Sequence, residues 1–160
     1  MIDDALATEV ILEAEAILEA SDTPVQERLQ HLMQHLHDRL PHFHWVGIYW
    51  LRGNELVLGP YVGPPTEHTV IPVGRGVCGT AVAENMNQII DDVRLLSNYL
   101  ACNLETRSEI VVLIRRPDSG RIIGQIDVDG TEVGAFDESD EAMLEVIAER
   151  IARLVTEHPY

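Results

Sequence analysis

Three acidic residues in the C-terminal half are spaced so that they can share one site. Asp127 and Asp129 alternate in the apolar run 121–129, so their side chains leave the same face of a predicted strand. Glu109 begins the preceding apolar run, 109–115, and a hairpin between the two runs brings it to the same end of the sheet. Three neighbouring carboxyl groups raise at least one pKa, which leaves a protonated acid available as a proton donor.

The same alternation predicts which face of the last strand meets the core. One face carries Ile122, Gly124, Ile126 and Val128, which can pack on helices, and the acid face also carries Ile123 and Gln125. A second interpretation of Asp127 and Asp129 involves no function: both face water at a strand end. The sequence alone leaves these two interpretations open.

A glycine-rich turn and two cysteines form a second candidate. The turn has the sequence Gly74-Arg75-Gly76-Val77-Cys78-Gly79, which matches neither a phosphate loop nor the full dinucleotide-binding pattern. It can offer backbone N–H groups at the start of a predicted helix over 77–85, where anions are favoured and the pKa of a cysteine falls. Many such turns only connect two elements. Cys102 lies in the polar segment 91–107, an unusual position for a core cysteine.

Aromatic residues mark one strand of a predicted β-hairpin, formed by 44–51 and 55–58. Trp45, Gly47 and Tyr49 share a face of the first strand. They either pack in the core or line a pocket, where a glycine between two aromatic residues leaves room for a small ligand.

The histidines do not form a convincing metal site. His31 and His35 lie four residues apart on a helix, but they face its polar side and have no third ligand nearby in the sequence. A zinc site built from His68, Cys78 and Cys102 lacks any standard spacing. We therefore expect no metal.

The periodicity of apolar residues predicts an α+β architecture. Helices are expected over 3–20 and, with Thr23 as the cap and Pro24 at the first helical position, up to residue 40. About six strands follow. We expect a single domain over 1–160, comprising N-terminal helices (1–40), a sheet with a pocket (43–136) and a C-terminal helix (137–156).

Charge excludes several classes of partner. The 160 residues include 27 acidic residues and 11 basic residues, all of them arginine, for a net charge of −16. Such a field repels nucleic acid and anionic membranes. Adaptation to a salty cytoplasm, or an acidic surface that lost lysine through codon bias, would each explain the acidity. The two cysteines, the short apolar runs and the start without a basic segment predict a cytoplasmic chain that does not span a membrane.

Five short segments occur in a recognisable order along the chain. They are Trp45–Tyr49, Leu56–Tyr61, Ile71–Ala81, Ala101-Cys102 followed by Arg107–Val111, and Ile123–Asp129. From about Trp45 to Phe136, the chain thus resembles the GAF-domain free methionine-(R)-sulfoxide reductases. The two cysteine segments make this resemblance more specific than a match to GAF domains in general.

The resemblance implies a GAF fold: a central antiparallel sheet of about six strands, with the N- and C-terminal helices on one face and a ligand pocket on the other. It implies reduction of free methionine (R)-sulfoxide to methionine without a cofactor. A thioredoxin-like reductant and a homodimer are the implied partners. The family pattern has a third cysteine where this chain has His68, which affects the redox relay.

The resemblance also implies roles for individual residues. Cys102 would be the nucleophile and Cys78 the resolving thiol, although the reverse assignment stays open. Substrate would be bound through the carboxyl groups of Glu109, Asp127 and Asp129, the backbone amides of Val77 and Cys78, and the rings of Trp45 and Tyr49. Two other functions remain as alternatives: a non-catalytic GAF module that binds a small ligand, and a thiol-based redox sensor without turnover.

Overall fold

The computed structural model describes residues 1–100 and 104–159, so Cys102 lies outside the described residues. The helices are α1 (Asp4–Leu18), α2 (Val25–Arg39), α3 (Gly76–Glu84) and α4 (Glu138–Glu157). The strands are β1 (Trp45–Arg52), β2 (Glu55–Val62), β3 (Val70–Pro72), β4 (Gln88–Ile90), β5 (Ser108–Arg115) and β6 (Ile122–Gly130). A 3-10 turn spans Val93–Leu95. No helix in the described part is both long enough and apolar enough to cross a bilayer.

The six strands form one antiparallel sheet in the order β3-β2-β1-β6-β5-β4. Helices α1, α2 and α4 cover one face, and the main core lies between them and the sheet, where Ile48, Ile110 and Ile126 are fully buried. The predicted α+β class, the six strands and the placement of the terminal helices on one face are confirmed. Helix α3 packs on the opposite face through Val77, Cys78 and Ala81.

The predicted alternation along β6 holds at its C-terminal half and is wrong at its start. Ile126 and Val128 pack in the main core as expected. Ile123, however, packs against that core, while Ile122 lies on the α3 face. The cause is a register shift: Gly124 pairs with Ile114, but Ile122 pairs with Arg115, so β6 has one extra residue at this point. An extra residue reverses the side-chain alternation, which turns Ile122 to the other face of the sheet.

The start signal of α2 also works differently from the prediction. Pro24, rather than Thr23, is the N-cap residue, and no side chain caps the helix. The carbonyl oxygen of Thr23 instead accepts a hydrogen bond from Nε of Arg28 at 2.6 Å, and Nη1 of Arg28 donates to Leu18 at 3.2 Å. A buried arginine thus joins the end of α1 to the start of α2.

A polar junction fixes the beginning of α4 against the chain that leads into β1. Asp140 is fully buried and accepts from His42 Nε2 at 2.7 Å and from the α-amino group of Met1 at 2.8 Å. It also completes a capping box with Asp137. Burial opposes ionisation, yet these hydrogen bonds hold the pKa of Asp140 below its usual value.

We expect Asp140→Ala to lower the free energy of unfolding by about 1–3 kcal/mol, because it removes the acceptor of the half-buried His42 ring and breaks the capping box with Asp137. Urea denaturation at neutral pH measures this change. Asp118→Ala is the matched control, since Asp118 forms an exposed ion pair with Arg116, and it should change stability little. Equal effects of the two substitutions would contradict the role given to Asp140.

Candidate active site

The strand register brings the three predicted carboxyl groups together on the face that carries α3. Asp129 lies opposite Glu109 of β5 on one side and Trp45 of β1 on the other. Asp127 lies opposite Gly47 of β1. Residues directly opposite in antiparallel strands share a face, so the acids form one cluster. All three are almost completely buried, which is contrary to the interpretation that they face water.

The two aspartates lack the partners that buried carboxylates usually have. Among the described residues, none donates a hydrogen bond with ordinary geometry to either oxygen of Asp127 or Asp129. Burial raises the pKa of Asp127, although nearby Glu109 and Cys78 oppose that rise. Burial, together with the charge of Asp127, raises the pKa of Asp129 well above its usual value. The cluster therefore favours a protonated Asp129 and can accept an additional donor or positive charge.

Cys78 lies against this cluster because of how α3 begins. Gly76 has φ +64°, a conformation that glycine adopts readily, and it turns the chain into the helix. Sγ of Cys78 is 3.8 Å from Oε2 of Glu109, and Sγ and the nearest oxygens of Glu109 and Asp127 all lie within 4.8 Å of one another. Nε2 of Gln125 donates to the carbonyl oxygen of Cys78 at 3.3 Å, which ties α3 to β6.

Aromatic rings form one wall of the cluster. The indole of Trp45 lies across Gly47, where an added Cβ would be 2.7 Å from the ring. Trp45 also stacks on Tyr61 and Tyr49, with centroid separations of 5.4 and 6.3 Å. In this structure the indole of Trp45 itself fills the room that Gly47 leaves. Nε1 of Trp45 is buried and has no acceptor among the described residues.

The segment before the second cysteine covers the site. Tyr99 and Leu100 pack against the apolar cluster of this face, and an added Cβ on Gly76 would be 3.2 Å from the Leu100 side chain. Nδ2 of Asn98 donates to the carbonyl oxygen of Gly74 at 3.0 Å. A cleft of about 450 Å³ between this segment and α3 is lined by Val77 among others.

The remaining histidines lie away from this cluster or contact it through the backbone. His31 is exposed, and Nε2 of His35 lies 3.5 Å from a carboxylate oxygen of Glu13. The backbone of His68 approaches the aromatic wall, because its carbonyl oxygen accepts from the Tyr49 hydroxyl at 2.8 Å.

Two residues of the site were not among the predicted site residues. Gln125 anchors Cys78 and keeps a buried Oε1 without a donor among the described residues. Its place beside Asp127 in the alternation of β6 was a usable signal. Tyr61, which stacks on Trp45, could not have been identified in this way, because β2 continues through Gly59 and Pro60 beyond the predicted strand and its register against β1 shifts.

We expect Asp129→Asn to raise the melting temperature at pH 7–8. A carboxyl group whose pKa is raised by folding stabilises the protein only while it is protonated, so the wild type loses stability as the pH rises through that pKa. The advantage of the variant should shrink as the pH falls toward the ordinary carboxyl range. Melting curves across this range measure the difference.

Asp118→Asn is the control for this prediction, with the opposite sign. Arg116 lowers the pKa of Asp118, so that carboxylate stabilises the protein at neutral pH and its removal should lower the melting temperature slightly. A pH-independent effect of Asp129→Asn would contradict a buried, proton-holding Asp129.

Comparison with known proteins is consistent with this geometry. A model of the GAF domain family matches residues 22–156. A free methionine-R-sulfoxide reductase of Escherichia coli is 37% identical over 143 residues, which are 89% of this chain and 85% of the relative.

Solved structures give the same result. A type II free methionine-R-sulfoxide reductase from Thermoplasma acidophilum is 41% identical, with a TM-score of 0.78 over 82% of this chain and 92% of that one. A free methionine-R-sulfoxide reductase from Neisseria meningitidis, solved in complex with its substrate, is 33% identical with a TM-score of 0.86 over 98% and 93% of the two chains. The chain therefore belongs to the GAF domain family and, within it, to the free methionine-R-sulfoxide reductases.

Proposed function

We propose that this chain reduces free methionine (R)-sulfoxide to methionine, with the acidic cluster and Cys78 as part of its active site. The observation that carries the proposal is the pair of buried, unpartnered carboxyl groups of Asp127 and Asp129 beside Cys78. A zwitterionic sulfoxide supplies what this pair lacks, because its ammonium group carries positive charge and donors. Its sulfoxide oxygen, in turn, accepts a proton.

Asp129 is the best candidate for the proton donor. Burial and the negative charge of Asp127 both raise the pKa of Asp129 well above its usual value, so Asp129 can keep a proton above the ordinary carboxyl range. Asp127 and Glu109 then hold the ammonium group, which compensates their negative charge. The family resemblance assigned all three carboxyl groups to the substrate, and they now have separate roles, the proton for Asp129 and the ammonium group for Asp127 and Glu109.

The other end of the amino acid fits the start of α3. The first backbone N–H groups of a helix have no carbonyl partner within it, and the helix dipole favours an anion there. The amides of Val77 and Cys78 are therefore assigned to the substrate carboxylate. The rings of Trp45 and Tyr49 enclose the methyl end. Recognition of both charged ends explains a preference for the free amino acid, because a peptide bond removes one of these charges.

The thiol chemistry follows from the two cysteines. The thiolate of Cys102 attacks the sulfoxide sulfur while the carboxylic acid protonates the departing oxygen, which yields methionine and a sulfenic acid on Cys102. The thiol of Cys78 then condenses with the sulfenic acid, forming a disulfide and releasing water. A thioredoxin-like dithiol reduces the disulfide and is itself oxidised. His68 cannot replace the family's third cysteine in this relay, so Cys78 is the resolving thiol in this chain.

The setting of the enzyme completes the proposal. We assign the chain to the cytoplasm as a homodimer of single-domain subunits that binds neither nucleic acid nor membranes, in keeping with its net charge of −16. The competing proposal is a non-catalytic ligand-binding GAF module, and His68 in place of a cysteine is the observation that favours it. A redox sensor that uses Cys78 and Cys102 without turnover is the third possibility. Turnover with a dithiol separates the enzyme from both.

We expect the wild type to convert free methionine (R)-sulfoxide to methionine with dithiothreitol, and Cys102→Ser to reduce that rate by at least about 10³-fold, as for loss of a nucleophile. Cys78→Ser should keep turnover with dithiothreitol, which reduces a sulfenic acid directly, and lose it with thioredoxin. Chromatographic detection of methionine measures all three proteins.

The (S)-sulfoxide and the N-acetylated (R)-sulfoxide are matched control substrates and should not be reduced. Absence of wild-type turnover with either reductant would exclude the enzymatic function. Loss of dithiothreitol-dependent turnover in Cys78→Ser, with that turnover kept in Cys102→Ser, would reverse the roles of the two cysteines.

Asp129→Asn should lower kcat/KM by about 10²–10⁴-fold, the usual contribution of a general acid. In the wild type, kcat/KM should fall as the pH rises through the raised pKa of Asp129, since the proton is then lost. The residual activity of the variant should lack this fall. Asp118→Asn, which alters an exposed carboxyl group, should keep the wild-type pH dependence of kcat/KM. If kcat/KM of Asp129→Asn fell at alkaline pH as in the wild type, the proton would belong to another group.

A further inference from the structure

The cluster at the start of α3 has the composition of a metal site as well as a substrate site. Its three donors come from separate elements: Cys78 from α3, Glu109 from β5 and Asp127 from β6. The sulfur and one oxygen of each carboxylate lie within 4.8 Å of one another, and all three residues are buried. This donor set was not recognisable as a site in the sequence, because its members are separated by 31 and 18 residues.

A second observation concerns the oxygens of the two aspartates at this cluster. Both oxygens of Asp127 and both of Asp129 are inaccessible to solvent and accept no hydrogen bond from the described residues. Within the same part of the chain, neither aspartate forms an ion pair with an arginine or a histidine. Buried anionic oxygens without compensation are unfavourable by several kcal/mol, which a bound cation would offset.

The donor types select the cation. One thiolate and two carboxylates suit Zn²⁺, whereas Ca²⁺ and Mg²⁺ favour oxygen ligands alone. Zn–S and Zn–O bonds of about 2.3 and 2.0 Å place a sulfur and an oxygen of a tetrahedral site about 3.5 Å apart and two oxygens about 3.3 Å apart. Sγ of Cys78 and Oε2 of Glu109 are already 3.8 Å apart, so small side-chain rotations complete the site.

We propose that Cys78, Glu109 and Asp127 bind Zn²⁺ in a three-ligand site whose fourth position is open to water. Binding releases the thiol proton to solvent and leaves a Zn–thiolate bond. The ion uses the same carboxylates that are assigned to the substrate ammonium, so Zn²⁺ competes with methionine sulfoxide and removes Cys78 from the disulfide step. The competition rests on the proposed function, whereas the binding of the ion does not.

The test uses the reduced full-length Cys102→Ser protein, in which Cys78 is the remaining thiol. Calorimetric titration with Zn²⁺ should give one site per chain. Titration with Co²⁺ should give the near-ultraviolet band of thiolate-to-cobalt charge transfer. Asp127→Asn and Glu109→Gln, in the same background, should each weaken Zn²⁺ binding at least tenfold, with folding verified by melting curves. Both substitutions are tested so that the result can still be read if one of the two variants does not fold.

His35→Ala is the matched control, because His35 and His31 have the helical spacing of a ligand pair but lie away from the cluster, and it should leave the affinity unchanged. Loss of binding in His35→Ala, no effect of Asp127→Asn, or a Co²⁺ spectrum without the thiolate band would overturn the proposal. Wild-type turnover measured with and without a chelator is a separate readout. Activity that is absent in both conditions contradicts the proposed reaction, whereas activity that Zn²⁺ does not inhibit contradicts the competition.

Discussion

Burial of carboxyl groups without donors is the constraint on which the rest of the site depends. Asp127 and Asp129 lie on a central strand, where both sheet faces are covered, so their desolvation cannot be relieved by water. A protein tolerates such groups only when the remaining structure is stable enough to offset them. Here the apolar core between α1, α2, α4 and the opposite face of the sheet supplies that stability. Stability on one face thus permits reactive chemistry on the other.

The same electrostatic requirement connects substrate and metal. An uncompensated buried pair of carboxyl groups can retain a proton, accept an ammonium group or bind a cation. Each of these responses lowers the same unfavourable charge. The proposed reaction uses the first two, with a proton on Asp129 and the ammonium near Asp127 and Glu109. The thiol of Cys78 adds a soft ligand, which is why a zinc ion becomes a competitor.

The sequence predicts the parts of this arrangement that follow from local periodicity. Alternation places Asp127 and Asp129 on one face, and the hairpin register then brings Glu109 beside them. Ile122 departs from this alternation, because an extra residue of β6, Ile123, forms a bulge opposite Ile114 and Arg115 and reverses the direction of the Ile122 side chain. The indole of Trp45 fills the space over its neighbouring glycine, which depends on a rotamer and a ring stack that spacing does not encode. Tertiary contacts of this kind become visible only in the folded chain.

Direct observation of the carboxyl groups is the sharpest test of a protonated, buried Asp129. Carbon-13 NMR titration of the Cys102→Ser protein, with aspartate carboxyl groups labelled and Asp129→Asn used for assignment, follows their protonation. Asp129 is expected to titrate well above the ordinary aspartate range in the ligand-free protein. Saturation with methionine, whose ammonium group compensates the cluster, should shift that titration downward. An ordinary pKa for Asp129, unchanged by methionine, would contradict the central claim.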